Sequence, residues 1–409
     1  MKRILAFLVS TAITVVVCLG VAEVALRATG YTAAIWYEPD PVLGWKLRPG
    51  AKGWFTSEGR GWVQISPAGF RDRTHDLAKP KGTYRVALLG DSFAEALQVD
   101  FKSTFWWQLQ EKLGACAPEG TQVEVMNFGV SGYGTAQESL QLENTAIRYS
   151  PDLVLLAFTN GNDLMNNSRL LEPEKDRPFY TLDAKGRLRL DDSFASSEQF
   201  RERSEPWMQY FRVASDRFRV VQLAHQANRT LTALRSAGTA QASAGAAKPL
   251  PGVEPGTDAS VLAPPRDQKW RDTWAITEAL IERMKDFSQQ HGARFALTVV
   301  PYAAQVNPDK DLRRNLQNAL GVTDLFYIER RLAALGMKDG FPVIPLAYDM
   351  QRVADSEGVY LHGFRNVALG TGHWNEAGHR MAAQLLASRL CGEAFGAGAR
   401  APGAKQDGG

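Results

Sequence analysis

The longest uninterrupted apolar pattern lies at the N-terminus, where the 19 residues from Ile4 to Ala22 carry no charge. At about 1.5 Å per residue, a helix of this length nearly matches a hydrocarbon core of about 30 Å. Lys2 and Arg3 flank it on the N-terminal side. Positive charge there favours an N-in orientation, which leaves the rest of the chain outside the cytoplasm. Three readings compete for this segment, taken as residues 1–30: an uncleaved signal anchor, a signal peptide cleaved near Gly20-Val21-Ala22, and a buried core helix. Length favours the anchor. Val17 stands before Cys18 where a lipoprotein site needs a small residue, so lipidation is set aside.

Beyond the anchor the periodicity changes. Residues 31–80 are rich in Trp, Gly and Pro and fit short strands and turns. Short apolar runs then predict buried strands at Tyr84–Leu89, Val123–Met126, Leu153–Phe158, Phe295–Val300 and Phe341–Ile344. Helical spacing separates them over Thr104–Leu113, with Ser103 as cap, and over Thr135–Arg148. An amphipathic helix from Asn375 to Leu390 closes the series. Strands alternating with helices predict an α/β domain over 81–395, a central parallel sheet with helices on both faces. About 130 residues separate the third and fourth strands, far more than a crossover needs. They are read as an insertion over 169–268, in which 237–268, rich in Ala, Gly, Pro and Ser, is expected to be flexible. The tail 396–409 is expected to be disordered.

Composition narrows the class. Hydrophobic residues make up 44% and charged residues 22%, so a core forms without help from metals or disulfides. The net charge of +3 comes with no basic stripe, which argues against a nucleic-acid partner. The three cysteines, Cys18, Cys116 and Cys391, show no C-x-x-C spacing and so no zinc or redox motif.

The candidate chemistry follows the strands. Gly90-Asp91-Ser92-Phe93 comes directly after the first strand, where open parallel sheets bind ligands. Asn127-Phe128-Gly129-Val130-Ser131-Gly132-Tyr133-Gly134 follows the second strand and Asn160-Gly161-Asn162-Asp163 the third. Gly372-His373-Trp374-Asn375 precedes the last helix. Each block alone has a plain reading as a turn or a helix cap. Together and in this order they resemble the SGNH (GDSL-like) hydrolases over most of residues 60–392, the insertion excepted. The approach segments Asp40-Pro41-Val42-Leu43-Gly44-Trp45 and Ser66-Pro67-Ala68-Gly69-Phe70-Arg71-Asp72 look like those of membrane-anchored bacterial members, with Ser66 where Asn is usual.

The resemblance implies a flavodoxin-like three-layer sandwich with strand order 2-1-3-4-5. It implies Ser92 as nucleophile and His373 as its base. An oxyanion hole would come from the backbone N–H groups of Ser92 and Gly132 and the side-chain amide of Asn162. Asp91 and Asp163 are read as braces of their turns. No cofactor and no metal are implied. A three-His metal site from His362, His373 and His379 is disfavoured, since no carboxylate or Cys completes the spacing. In the implied strand order the helices ending at Cys116 and Cys391 lie side by side, so a disulfide between them is expected.

One block departs from the pattern. The family acid stands two or three residues before the histidine, and here those positions are Thr371 and Gly370. A backbone carbonyl could orient the imidazole, a carboxylate such as Asp349 or Asp355 could substitute, or the enzyme could be slow or inactive. Glu376 is read as a capping residue. The leading expectation is an extracytoplasmic (periplasmic) esterase or O-deacylase, held in the cell membrane by a single N-terminal helix and acting on an acylated small molecule, glycan or lipid. The alternatives are an O-acyltransferase of exopolysaccharide modification, working beside a membrane acyl-transfer partner, and a non-catalytic glycan-binding module that uses Trp36, Tyr37, Trp45, Trp54 and Trp62.

Overall fold

The computed structural model describes residues 2–243, 252–253 and 257–396. Residues 244–251 and 254–256 of the expected linker, and 397–409 of the expected tail, lie outside the described residues.

Five parallel strands form the central sheet: β1 (Thr83–Gly90), β2 (Gln122–Asn127), β3 (Leu153–Thr159), β4 (Arg294–Val300) and β5 (Val343–Pro345). Their order is β2-β1-β3-β4-β5, the expected 2-1-3-4-5. Both faces are covered, which is why the strands read as continuous apolar runs rather than alternating ones. Along β3, Val154, Leu156 and Phe158 enter one core, shared with the helices Gln268–Gln290 and Tyr327–Asp339. Leu153, Leu155 and Ala157 enter the other, shared with Phe105–Cys116 and Glu376–Phe395. Among the described residues, Lys2–Ala28 is a single helix with no buried residue, long and apolar enough to cross a membrane.

Cys116 and Cys391 are joined by a disulfide, with their Cα atoms 6.1 Å apart. Cys116 is the last residue of its helix, and the Glu376–Phe395 helix packs alongside it. With Cys18 exposed on the apolar helix as the free thiol among the described residues, the bridge and that helix together point to an oxidising, extracytoplasmic compartment.

Several local expectations shift. Thr104, not Ser103, caps the first helix, its hydroxyl accepting from Trp107 N–H. Asn375, not Glu376, caps the last, accepting from the N–H groups of Ala377 and Gly378. The helix from Thr135 ends at Asn144 and gives way to a 3-10 turn at Ala146–Tyr149. The stretch 237–268 is not uniformly structureless. The helix Arg219–Ser243 runs into it, and Ala259, Val261 and Leu262 bury their side chains in the core, which fixes the far end of the stretch.

The segment before the sheet forms two antiparallel hairpins, Tyr37–Asp40 with Gly44–Leu47 and Lys52–Phe55 with Gly61–Gln64. They carry their own core, Trp36, Leu43, Leu47, Val63 and Ile65, closed by Leu97, Val130 and Tyr133 from the loops above β1 and β2. This shared core lays the hairpins across the carboxyl ends of the strands. Gly61 makes the contact close: a Cβ there would collide with the carbonyl oxygens of Leu97 and Val99.

Candidate active site

Ser92 opens a single helical turn, Ser92–Glu95, directly off the end of β1. Asp91 caps that turn by accepting from Phe93 N–H at 2.9 Å, and it also accepts from Thr159 Oγ1 and Asn162 Nδ2. Burial pushes the Asp91 carboxyl up, with the Phe93 and Asn162 hydrogen bonds and the charge of His373 opposing. Asp91 thus ties the ends of β1 and β3 together.

His373 arrives from the opposite side, on the strand Leu369–Trp374, which pairs with His362–Gly363. Its Nε2 lies 2.8 Å from Ser92 Oγ. Its Nδ1 lies 2.5 Å from Glu58 Oε2, and its backbone N–H donates to Glu58 Oε1 at 2.7 Å. The carboxylate that was missing near Thr371 therefore comes from Glu58, in the turn of the second hairpin. Burial raises the Glu58 carboxyl, but the hydrogen bonds and charge of His373 outweigh it and hold it below its usual 4.5. Serine, imidazole and carboxylate in series can draw a proton from Oγ to Nε2 and hold the resulting imidazolium.

Neither carboxylate considered from the sequence reaches His373. Asp355 pairs with Arg313 at 2.7 Å, and Asp349 pairs with Arg352. Gly372 explains how a remote carboxylate fits: at φ +71°, a Cβ on it would overlap the Glu58 carboxylate. The glycine before the histidine, with no acid at Gly370 or Thr371, is the sequence signal for an acid arriving from elsewhere. Nothing in the spacing around Glu58 identifies it, because its partner is 315 residues away.

The turn bearing Glu58 is clamped by Asn366. Its side chain donates to the carbonyls of Thr56 and Gly59 and accepts from Gly59 N–H. His362 and His379 are packing groups. His362 bonds Gly372 O at 2.7 Å, and His379 lies parallel to the Phe105 ring. Burial pushes them down to about 4 and about 3, so both are neutral.

The loop after β2 is held from three directions. Glu95 Oε2 accepts from the N–H and hydroxyl of Ser131 and from Tyr37 OH. Trp45 Nε1 donates to Ser131 O at 3.0 Å, and Arg177 Nη2 donates to Gly132 O at 2.7 Å. Burial raises the Glu95 carboxyl to about 7, against the Ser131 and Tyr37 hydrogen bonds. Asn162 gives its two amide protons to Asp91 Oδ2 and Asn166 Oδ1, each at 3.1 Å. Asp163 accepts from Thr159 N–H at 2.7 Å, and burial with Glu138 and Asp91 nearby raises it well above 3.8. Of the five aromatic residues considered for sugar stacking, Trp36 is buried, Tyr37 donates its hydroxyl to Glu95, Trp54 and Trp62 pack edge to face, and Trp45 packs on Tyr133.

Two cavities meet at Asn162. One, of about 150 Å³, is lined by Ser92, His373, Gly161, Thr257 and Tyr302. The other, of about 460 Å³, is lined by Tyr37, Trp45, Gly132, Arg177, Met208 and Arg212, from the first hairpin, the loop after β2 and the insertion.

Solved structures similar to this chain include acetylxylan esterases, a hydrolase and a lipase. A catalytic mutant of an acetylxylan esterase from Geobacillus stearothermophilus is 12% identical over 78% of this chain and 97% of its own, with a TM-score of 0.38. An alpha/beta hydrolase from the metagenome of Lake Arreo, Spain, is 13% identical over 77% and 98%, with a TM-score of 0.36. A GDSL-like lipase from Bacteroides thetaiotaomicron is 12% identical over 76% and 89%, with a TM-score of 0.31. No family model and no curated protein matches the chain.

Proposed function

We propose that the chain is an extracytoplasmic serine esterase, an O-deacylase of an acylated glycan or lipid, held at the membrane by the Lys2–Ala28 helix. The observation that carries this reading is the unbroken series Ser92 Oγ, His373, Glu58, with separations of 2.8 and 2.5 Å. In this reading Ser92 Oγ attacks the acyl carbon as its proton passes to His373 Nε2. Glu58 fixes the Nδ1–H tautomer and balances the imidazolium. The carbonyl oxygen, now an oxyanion, takes donors from Ser92 N–H, Gly132 N–H and the Asn162 amide. Both protons of that amide are already engaged, so it exchanges its bond to Asp91 or Asn166 for the oxyanion. The intermediate collapses, the alcohol leaves with the proton from His373, and water repeats the sequence to free the acid. Asp91 and Asp163 act by bracing the turns.

The same chemistry passes the acyl group to a sugar hydroxyl if an acceptor displaces water. The larger cavity beyond Asn162 is the observation that favours this second reading, since it gives an acceptor room on the far side of Gly132 and Asn162. A purely glycan-binding role loses its main support, because a carboxylate does reach His373.

The test is release of p-nitrophenol from acetyl and longer acyl esters by the full chain in detergent. Ser92→Ala and His373→Ala should each lower kcat/KM by roughly 10⁴-fold or more. Wild type no faster than the variants would sink hydrolysis. With a sugar acceptor present, acylated sugar in excess of free acid would select transfer.

A further inference from the structure

The helix Pro206–Arg217 in the insertion has two faces of opposite purpose. Arg212 and Ser215 are buried, and Met208 and Arg212 line the larger cavity. Asp216 holds it to the first hairpin through Arg48, at 2.5 and 2.6 Å. The outer face reverses the usual pattern. Trp207, Tyr210 and Val213 follow at three-residue steps, 61%, 78% and 65% exposed, and Phe218 beyond the helix end is 49% exposed. Isolated exposed apolar residues are ordinary, but three on one helix face with Phe218 just past its end, three of the four aromatic, mark a surface that something covers.

The position of this helix identifies the covering partner. Glu23 is the first charged residue after the apolar run and so marks its outer end. Its Oε2 accepts from Val220 N–H at 3.0 Å, and Arg27 Nη2 donates to Arg217 O at 2.7 Å. The C-terminal end of the helix is thereby pinned where the apolar segment meets water. Trp and Tyr are the residues that settle at the headgroup level, with an apolar body and a polar tip.

We propose that the helix Pro206–Arg217 lies on the outer bilayer surface beside the N-terminal helix, with Trp207, Tyr210, Val213 and Phe218 in the headgroup–acyl boundary. This rests on the membrane-spanning reading of Lys2–Ala28. The cavity wall at Met208 and Arg212 is then the inner face of a membrane-bound helix, which sets the site to receive an amphipathic ester from the lipid surface.

The full chain is reconstituted in vesicles of phosphatidylcholine and phosphatidylglycerol containing nitroxide-labelled lipid. A bimane probe is read at native Cys18 in the wild type. In a Cys18→Ala background it is read at Tyr210→Cys and at Met337→Cys, which is 81% exposed on the Tyr327–Asp339 helix. An unchanged melting temperature shows that each labelled chain is folded. Lipid quenching at position 210 should exceed that at 337 by about threefold or more, as for a helix seated about 5–10 Å into the boundary. Equal quenching at 210 and 337 overturns the proposal. The Cys18 probe reports on the span alone. If it is quenched while 210 matches 337, the anchor stands and the surface helix falls. If it is not quenched, the span falls, and position 210 still decides the surface helix by the same comparison.

Discussion

Ser92 stands at the end of an eight-residue strand buried between two helical layers, whereas Glu58 stands in the turn of a hairpin with strands of four residues. The first is placed by the main sheet, whose parallel strands are covered by helices on both faces. The second is placed by a small separate core, by the close approach at Gly61 and by the Asn366 clamp. His373 links the two in the series, with Ser92 on one ring nitrogen and Glu58 on the other. A nucleophile tolerates little freedom of position and sits on the rigid frame. The acid needs only to orient an imidazole, and it is supplied by a lighter element laid on top.

The sharpest way to break this comparison is Glu58→Gln. The amide keeps the shape but presents an N–H or a weaker acceptor to Nδ1, so the imidazole loses its fixed tautomer and its counter-charge. Ester turnover should fall by roughly 10²–10⁴-fold, with little change in melting temperature. Turnover within about twofold of wild type would mean that the hairpin is a cover and His373 needs no acid.

This division also explains what could be read from the residues alone. The strands follow from periodicity, while their order and the choice of Ser92 and His373 come from the family resemblance of blocks that are each contiguous in sequence. Glu58 was not legible, since a hairpin turn of Thr, Ser, Glu, Gly and Arg has the composition of any surface turn. What pointed to it was negative: Gly370 and Thr371 where an acid was due, and Gly372 with no side chain to fill the space. The caps shifted by one residue because Ser103 and Thr104, or Asn375 and Glu376, are both chemically able to cap, and backbone direction decides between them.

The disulfide tests the frame by itself. Cys391 lies about 24 Å along its helix from Asn375, at 1.5 Å per residue, so the bridge fastens the end of the sheet away from the serine. Replacing both cysteines by Ser should lower the unfolding free energy by roughly 2–5 kcal/mol, since the bridge closes a loop of 275 residues. The value of kcat/KM at 25 °C should stay within about twofold. A large loss of activity in the folded variant would show that frame and site are not separable.

Asn366→Ala probes the lighter half with the smallest expected effect. The substitution removes three hydrogen bonds to the Glu58 turn, of 3.0 to 3.2 Å, from a side chain that water also reaches. Water replaces part of what is lost, so the cost should be about 1 kcal/mol, read as a fall in kcat/KM of about fivefold. A loss of that size could also come from a general loosening of the loop, and the double variant separates the two. If Asn366 acts through Glu58, then Asn366→Ala adds nothing in a Glu58→Gln background, because the acid it positions is already gone. If the two losses multiply instead, Asn366 supports His373 by another route, and the hairpin contributes more to the site than the placement of one carboxylate.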